Sequence, residues 1–375
     1  MSSTISRGRV PVAWRQLAAE PAKLIVSVVA VAAAVALVLL LGGLRRGMGE
    51  QVTLYLDHQP PVLVGQRGAR DFLSQTSVLP EELAGEIERV PGVAEATPIS
   101  QQYAMLRLHD RRVPALLIGY DPGSPGGPWK LASGSAPSGA GELVLDRVLA
   151  SEHGLSIGST LEYRGEPLRI VGLSSGTSGF MTPLAFATRR TANALNRQSG
   201  TANFFLIGPE PGVAPDALAV RIGRSVPGIS ALTREEVAAN DRRLVVDPFA
   251  GPLLAMVAIA FAVAILVIGL TVYSSTAERS REYATLKALG LRRRALFRLV
   301  GAQAAGLALA GTALGILLAA AAARGVSAFA PKYLVAISPG SVAAIATGAL
   351  AMALLAALVP ARLLARLDPA SAFRR

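Results

Sequence analysis

The stretch PFAGPLLAMVAIAFAVAILVIGLTVYSSTA (248–277), ERSREYATLKALGLRRRALFR (278–298), LVGAQAAGLALAGTALGILLAAAAA (299–323) sets two uncharged runs on either side of a short basic loop. Each run has the roughly 20 apolar residues that a helix needs to cross about 30 Å of hydrocarbon. Two more such runs lie outside it, Leu24–Leu44 and Tyr333–Ala361. A buried helix in a soluble protein is a fair reading of one such run and a poor reading of four. The sequence is therefore read as a four-span membrane protein, with helices at 24–44, 248–275, 299–323 and 339–361. The first run is 21 residues long, beyond the 7–15-residue apolar core of a cleaved signal peptide, and is read as a retained anchor.

The 375 residues include 37 Lys+Arg against 25 Asp+Glu, a net charge of +12, with only 17% charged residues where about 25% is usual. A basic excess serves nucleic acid, anionic lipid or membrane topology, and its position decides. Segments 1–23, 276–298 and 362–375 hold fifteen basic residues against Glu20, Glu278, Glu282 and Asp368, which accounts for +11 of the total. The remainder is close to neutral, so nucleic acid is not expected as a partner. The positive-inside rule then puts these three segments and both termini in the cytoplasm, and 45–247 and the short loop 324–338 outside it.

Residues 45–247 are too long for a connector and have a globular texture. Pro80 followed by EELAGEIERV reads as a helix, whose Glu81, Glu82, Glu86 and Glu88 are taken as a solvated face. Strands are expected near 97–108, 112–119, 160–163, 168–173, 203–207 and 229–232, with helices near 147–153, 215–225 and from Arg234. Gly119–Gly141, rich in Gly, Pro and Ser, marks a subdomain boundary. The expected fold is an α+β domain with a mainly β insertion at about 120–200.

Catalytic chemistry is hard to assemble. There is no cysteine, and His58, His109 and His153 form no ligand pair. None of the four lysines follows a glycine, so GxxxxGK[ST] is absent and any nucleotide energy must come from another polypeptide. The loop SSGTSGF (174–180) superficially resembles a phosphate-cradling or nucleophile loop, but no histidine lies near it in sequence to activate a serine. The spans contain no Asp, Glu, Lys, Arg or His, which argues against an ion-coupled carrier. Gly311 and Gly315 form a GxxxG pair, favouring close helix packing within the chain over dimerisation.

In the basic loop, Tyr283, Leu286 and Leu289 fall on one helical edge while Glu282 and Lys287 stay polar, and Gly290 suits a helix C-terminus. Such a helix either lies on membrane lipid or docks in a groove of a cytoplasmic partner, and periodicity leaves both open.

The segment Glu278-Arg279-Ser-Arg281-Glu282-Tyr283-Ala-Thr-Leu286-Lys287-Ala288-Leu289-Gly290 resembles the coupling-helix motif of the FtsX/MacB-like ABC transporter permeases. AWRQLAAEPAKLI before the first span, VPGVAEATPIS (90–100), GELVLDRVLASEHGLSIGSTL (141–161) and the ending VPARLLARLDPASAFR (359–374) extend the resemblance over nearly the whole chain, closest to the DevC-type branch. The resemblance implies a MacB-like periplasmic core between spans one and two, and a homodimer that docks two copies of a separate ABC ATPase subunit. Glu282, Tyr283, Leu286, Lys287, Ala288, Leu289 and Gly290 would make that contact, with Arg292–Arg294 at its edge. This chain would bind no cofactor; ATP and Mg would sit on the ATPase. The implied function is non-catalytic: coupling ATP hydrolysis to motion of the outer domain, for export or extraction of a hydrophobic or amphipathic substrate such as a lipid, glycolipid, peptide or drug. DevC-type systems add a membrane-fusion or extracytoplasmic adaptor. The alternative is an FtsX-like mechanotransmitter that controls a partner such as a cell-wall hydrolase without transport.

Overall fold

The computed structural model describes residues 21–74, 77–108, 111–180, 182–278, 293–330 and 332–366. They divide into two units, one containing residues up to Arg46, Ala250–Phe329 and Val335 onward, the other Gly47–Phe249 with Ala330–Leu334.

The first unit is built on four long helices, α1 (Pro21–Thr53), α7 (Ala250–Glu278), α8 (Arg293–Phe329) and α9 (Pro339–Arg366), each long and apolar enough to cross a membrane. α1 outruns the expected span. Arg45 and Arg46 end the apolar window but not the helix, because Met48, Glu50 and Gln51 continue it with good helix formers. α7 starts with Pro252 in its first turn, where no N–H partner is required. α9 starts at Pro339 rather than at Tyr333, where the uncharged run begins, because Ser338 caps it: Ser341 N–H donates to Ser338 Oγ at 3.2 Å.

Lipid offers no hydrophobic force to drive helices together, so close packing must do it, and small residues permit the approach. α9 turns Ala349, Ala353, Ala356 and Ala357 inward, while Leu354, Leu355 and Leu358 stay exposed. Gly311 and Gly315 of α8 lie against α1. A Cβ on Gly311 would sit 2.5 Å from Val31 Cβ, and one on Gly315 would sit 2.7 Å from the Ala32 carbonyl oxygen. The GxxxG face is thus occupied within the chain.

The second unit carries β1 (Val62–Gln66), β2 (Leu79–Pro80), α2 (Leu83–Glu88), β3 (Val93–Leu108), β4 (Arg111–Tyr120), β5 (Leu131–Gly134), β6 (Glu142–Asp146), α3 (Arg147–Glu152), β7 (Thr160–Tyr163) and β8 (Glu166–Ser174). It continues with β9 (Leu184–Thr188), α4 (Arg189–Asn196), β10 (Thr201–Ala202), β11 (Phe204–Pro209), α5 (Pro215–Ser225), β12 (Ile229–Thr233) and α6 (Arg234–Val245). A sheet of order β12-β1-β11-β3-β4-β9-β6-β8-β5 organises it, and β2 pairs with β10 separately.

The 16-residue β3 serves two neighbourhoods. Its first half pairs with β11 and its second half with β4. β4 pairs β9, β9 pairs β6, β6 pairs β8, β8 pairs β7, and β7 returns to β3 through Arg107 and Glu162. The ring of six strands closes around Ala104, Leu106, Leu117, Leu143, Leu161 and Ile170, which fill it as side chains fill a small barrel. The segment expected as an insertion at about 120–200 therefore borrows β3 and β4 from its host to close.

The alternation of strand side chains accounts for the sequence here. In β4, β6 and β9, one set of residues (Leu117, Leu143, Ala185) faces the ring and the other (Leu116, Val144, Phe186) faces a second core with Phe72 and Phe204. Strands buried on both faces read as continuous apolar runs, as in PALLIGY and LAFAT. Glu82, Glu86 and Glu88 are exposed, as a solvated face at 81–88 requires. The helix itself is shorter: α2 begins at Leu83, Glu81 before it is ion-paired with Arg189, and Glu88 Oε1 accepts from Ala96 N–H at 3.3 Å.

Candidate functional site

The seven expected contact residues, Glu282, Tyr283, Leu286, Lys287, Ala288, Leu289 and Gly290, lie in 279–292, outside the described residues, as does Arg292. Both flanks are described. α8 begins at Arg293, and Arg294 is exposed. α7 ends at Glu278, whose carboxylate is ion-paired with Lys23 of α1. Lys23 Nζ also donates to Ser274 Oγ at 3.3 Å, and one turn deeper Ser27 and Thr271 share a hydrogen bond. A polar seam thus joins the start of α1 to the end of α7, directly before residue 279. In the sequence Glu278 is one acid of a basic loop and the first residue of the ERSREY motif. Its partner, 255 residues away, leaves no local signal.

The SSGTSGF loop follows β8 and is organised by Asp146, which is 1% exposed. Asp146 caps α3, its Oδ1 accepting from Val148 N–H at 2.9 Å and Leu149 N–H at 3.1 Å. The same carboxylate accepts from Thr177 Oγ1 at 2.7 Å and Ser178 Oγ at 2.8 Å. Four donors converge on this one carboxylate, which ties the loop to the start of α3. His153 does line a hollow with Asp146 and Ser178, a proximity that sequence spacing concealed. Its Nδ1 lies 3.1 Å from the Leu149 carbonyl, and the Ser178 hydroxyl is committed to Asp146, so the arrangement is a structural clasp rather than a nucleophile with its base.

Beyond the clasp, Gly179 and Phe180 form one wall of a hollow of about 480 Å³. Its other walls come from the end of α1 and the turn after it (Gln51 to Tyr55), from β3 and β4 (Tyr103, Leu116) and from the end of α6 and the turn after it (Leu244 to Phe249). Gln51 fixes the wall, its Nε2 donating to the Ser178 carbonyl at 3.1 Å and the Lys332 carbonyl at 2.8 Å. Behind it lies Asp241, which accepts from Phe72 and Leu73 N–H at 3.1 and 3.0 Å. Burial pushes its pKa up to about 7, with the nearby charge of Asp71 adding to the rise and the two N–H bonds opposing it. Arg189 is raised from its ordinary value: burial works against its charge, but hydrogen bonds to Glu81 and Asp121 outweigh that cost. Among the described residues, no cluster of three His, Asp or Glu is arranged to hold a metal ion.

A β-rich domain is thus strung between the first two of four helices that are long and apolar enough to cross a membrane. Residues 24–225 match the MacB-like periplasmic core domain and residues 254–369 the FtsX-like permease C-terminal domain. The chain belongs to the FtsX/MacB-like family of ABC transporter permeases. Uncharacterized ABC transporter permeases of Mycobacterium bovis and Mycobacterium tuberculosis are 27% identical over 312 residues, 82% of either chain. A second one from Mycobacterium tuberculosis is 25% identical over 314 residues, 82% of this chain and 84% of its own. Among solved structures, the periplasmic region of MacB from Actinobacillus actinomycetemcomitans gives a TM-score of 0.37 at 13% identity, over 52% of this chain and 94% of that one. The extracellular domain of the noncanonic ABC-type transporter YknZ from Gram-positive bacteria gives 0.36 at 11%, over 46% and 98%. Both scores are low, and neither adds to the family assignment.

Proposed function

We propose that this chain is the membrane subunit of an ATP-driven complex that exports or extracts a hydrophobic or amphipathic substrate. Two copies of the chain dock two ATPase subunits, which bind ATP and Mg. The carrying observation is that the FtsX-like permease match, 254–369, contains the whole segment 276–298 together with the helices on both sides of it. Residues 282–290 receive the ATPase on the cytoplasmic face of the plasma membrane, an orientation supported by the +11 carried by the three basic segments. ATPase closure pushes on this segment, and α7 and α1, tied by Lys23 and Glu278, carry the displacement outward. Because the spans hold no Asp, Glu, Lys, Arg or His, work is done on the outer domain rather than along a charged channel.

The test is ATPase activity of the complex with its ATPase in proteoliposomes. Stimulation by amphipathic compounds, saturable and lost without the outer domain's substrate contacts, is the expected result. Stimulation only by a folded protein partner would replace export with mechanotransmission.

A further inference from the structure

The SSGTSGF loop and the hollow it closes have no part in ATPase coupling, and their chemistry is one-sided. Among the residues lining the hollow there is no Asp, Glu, Lys, Arg or His, and Gln51 already spends its amide on two carbonyls. A volume of about 480 Å³ lies within the roughly 300–1,000 Å³ of ordinary ligand sites. The rim exposes large apolar groups to water: Tyr103 is 51% exposed, Leu244 48% and Phe249 47%. A nucleotide, sugar or peptide backbone would lose its hydrogen bonds in such a lining without replacement.

Chain connectivity narrows the occupant. Gln51 belongs to the same continuous helix as the span 24–44, Tyr55 follows two residues past its end, and Phe249 is the residue immediately before α7. Both covalent routes from hydrocarbon into the domain thus supply walls of the hollow. The loop wall is preformed, because Asp146 fixes Thr177 and Ser178, and Phe180 follows two residues on.

We propose that this hollow binds the acyl chain of an amphiphile drawn from the adjoining membrane leaflet. The inference rests on the permease reading above and names the part of the substrate that the outer domain holds. The chain end lies between Phe180 and Phe249, and the polar headgroup remains in water beyond Leu244.

The test uses the full-length chain in nanodiscs of phosphatidylcholine and phosphatidylglycerol, with a palmitate bearing a diazirine near its methyl end. After irradiation, peptides containing Tyr103, Phe180 or Phe249 should carry label. Leu244→Asp should lower that label by at least about tenfold, since a carboxylate is excluded from an apolar site, and Leu244→Trp should lower it by filling the hollow. Leu244 is half exposed, so neither change removes core packing. Val220→Asp, on an exposed face of α5, should leave labelling unchanged. Label confined to the spans, or label at these peptides that neither Leu244 variant reduces, overturns the proposal. So does a cross-link showing that a second copy of the chain fills the hollow. Co-purification with the ATPase, measured on the same samples, separates these outcomes from failure of the permease reading.

Discussion

Glu278, the last residue of α7, is ion-paired with Lys23 in the first turn of α1, and Ser274 bridges them at 3.3 Å from Lys23 Nζ and 3.2 Å from Glu278 Oε1. Both charges are partly exposed, so the pair adds at most about 1 kcal/mol to stability. Its position matters more than its strength. α1 runs unbroken to Thr53, and the pair ties its start to the end of α7, next to the segment proposed to receive the ATPase. Lys23→Glu or Glu278→Lys alone should leave folding intact but reduce substrate-stimulated ATPase activity several-fold. The double reversal should recover most of it. Equal losses in the single and double variants would show that the pair transmits nothing.

Asp146→Ala removes the acceptor of four bonds at once, two N–H of α3 and two hydroxyls of the 174–180 loop. Stranding buried donors costs about 1–3 kcal/mol each when no water replaces the partner, so a loss of about 3 kcal/mol or more is expected. Limited proteolysis should cut first within 174–182. Asp146→Asn keeps the acceptor oxygen and the shape, and should lose less. Identical proteolysis of wild type and Asp146→Ala would contradict the clasp.

Asp241 gives the β-rich domain an unusual pH dependence. Its pKa is about 7 when folded against 3.8 ordinarily, so between those values the folded state holds the proton more tightly than the unfolded state. The stabilisation is complete below about pH 4, falls as pH rises towards 7, and is gone above it. Amide exchange at Phe72 and Leu73, corrected for intrinsic rate, should therefore accelerate from pH 5 to pH 8 in wild type. In Asp241→Asn, which is permanently neutral, it should not. The same profile in both proteins would contradict the assignment.

The four spans were readable because hydrocarbon admits no charge, and β4, β6 and β9 because burial on both faces leaves no polar position. Other features depend on partners far apart in sequence. Glu81 looked like one more acid on a solvated helix until Arg189, 108 residues on, supplied its counter-charge. His153 entered the hollow beside Ser178 because β6 pairs with β8, a parallel register that no local pattern announces. The closing of the ring through Arg107 and Glu162 is equally non-local. α1 continues past the span at 24–44 for a local reason: Arg45 and Arg46 stop a membrane span but are good helix formers.

The central claim is that Leu286 and its neighbours form the surface that receives the ATPase. Leu286→Asp puts a carboxylate into that apolar edge, where an unpaired charge is strongly disfavoured. Measured by co-purification from detergent with a tagged ATPase subunit, the variant should reach the membrane at wild-type levels and retain less than about a tenth of the ATPase, a loss of about 1.4 kcal/mol or more in binding. Wild-type recovery of the ATPase, with normally stimulated hydrolysis, would contradict the account.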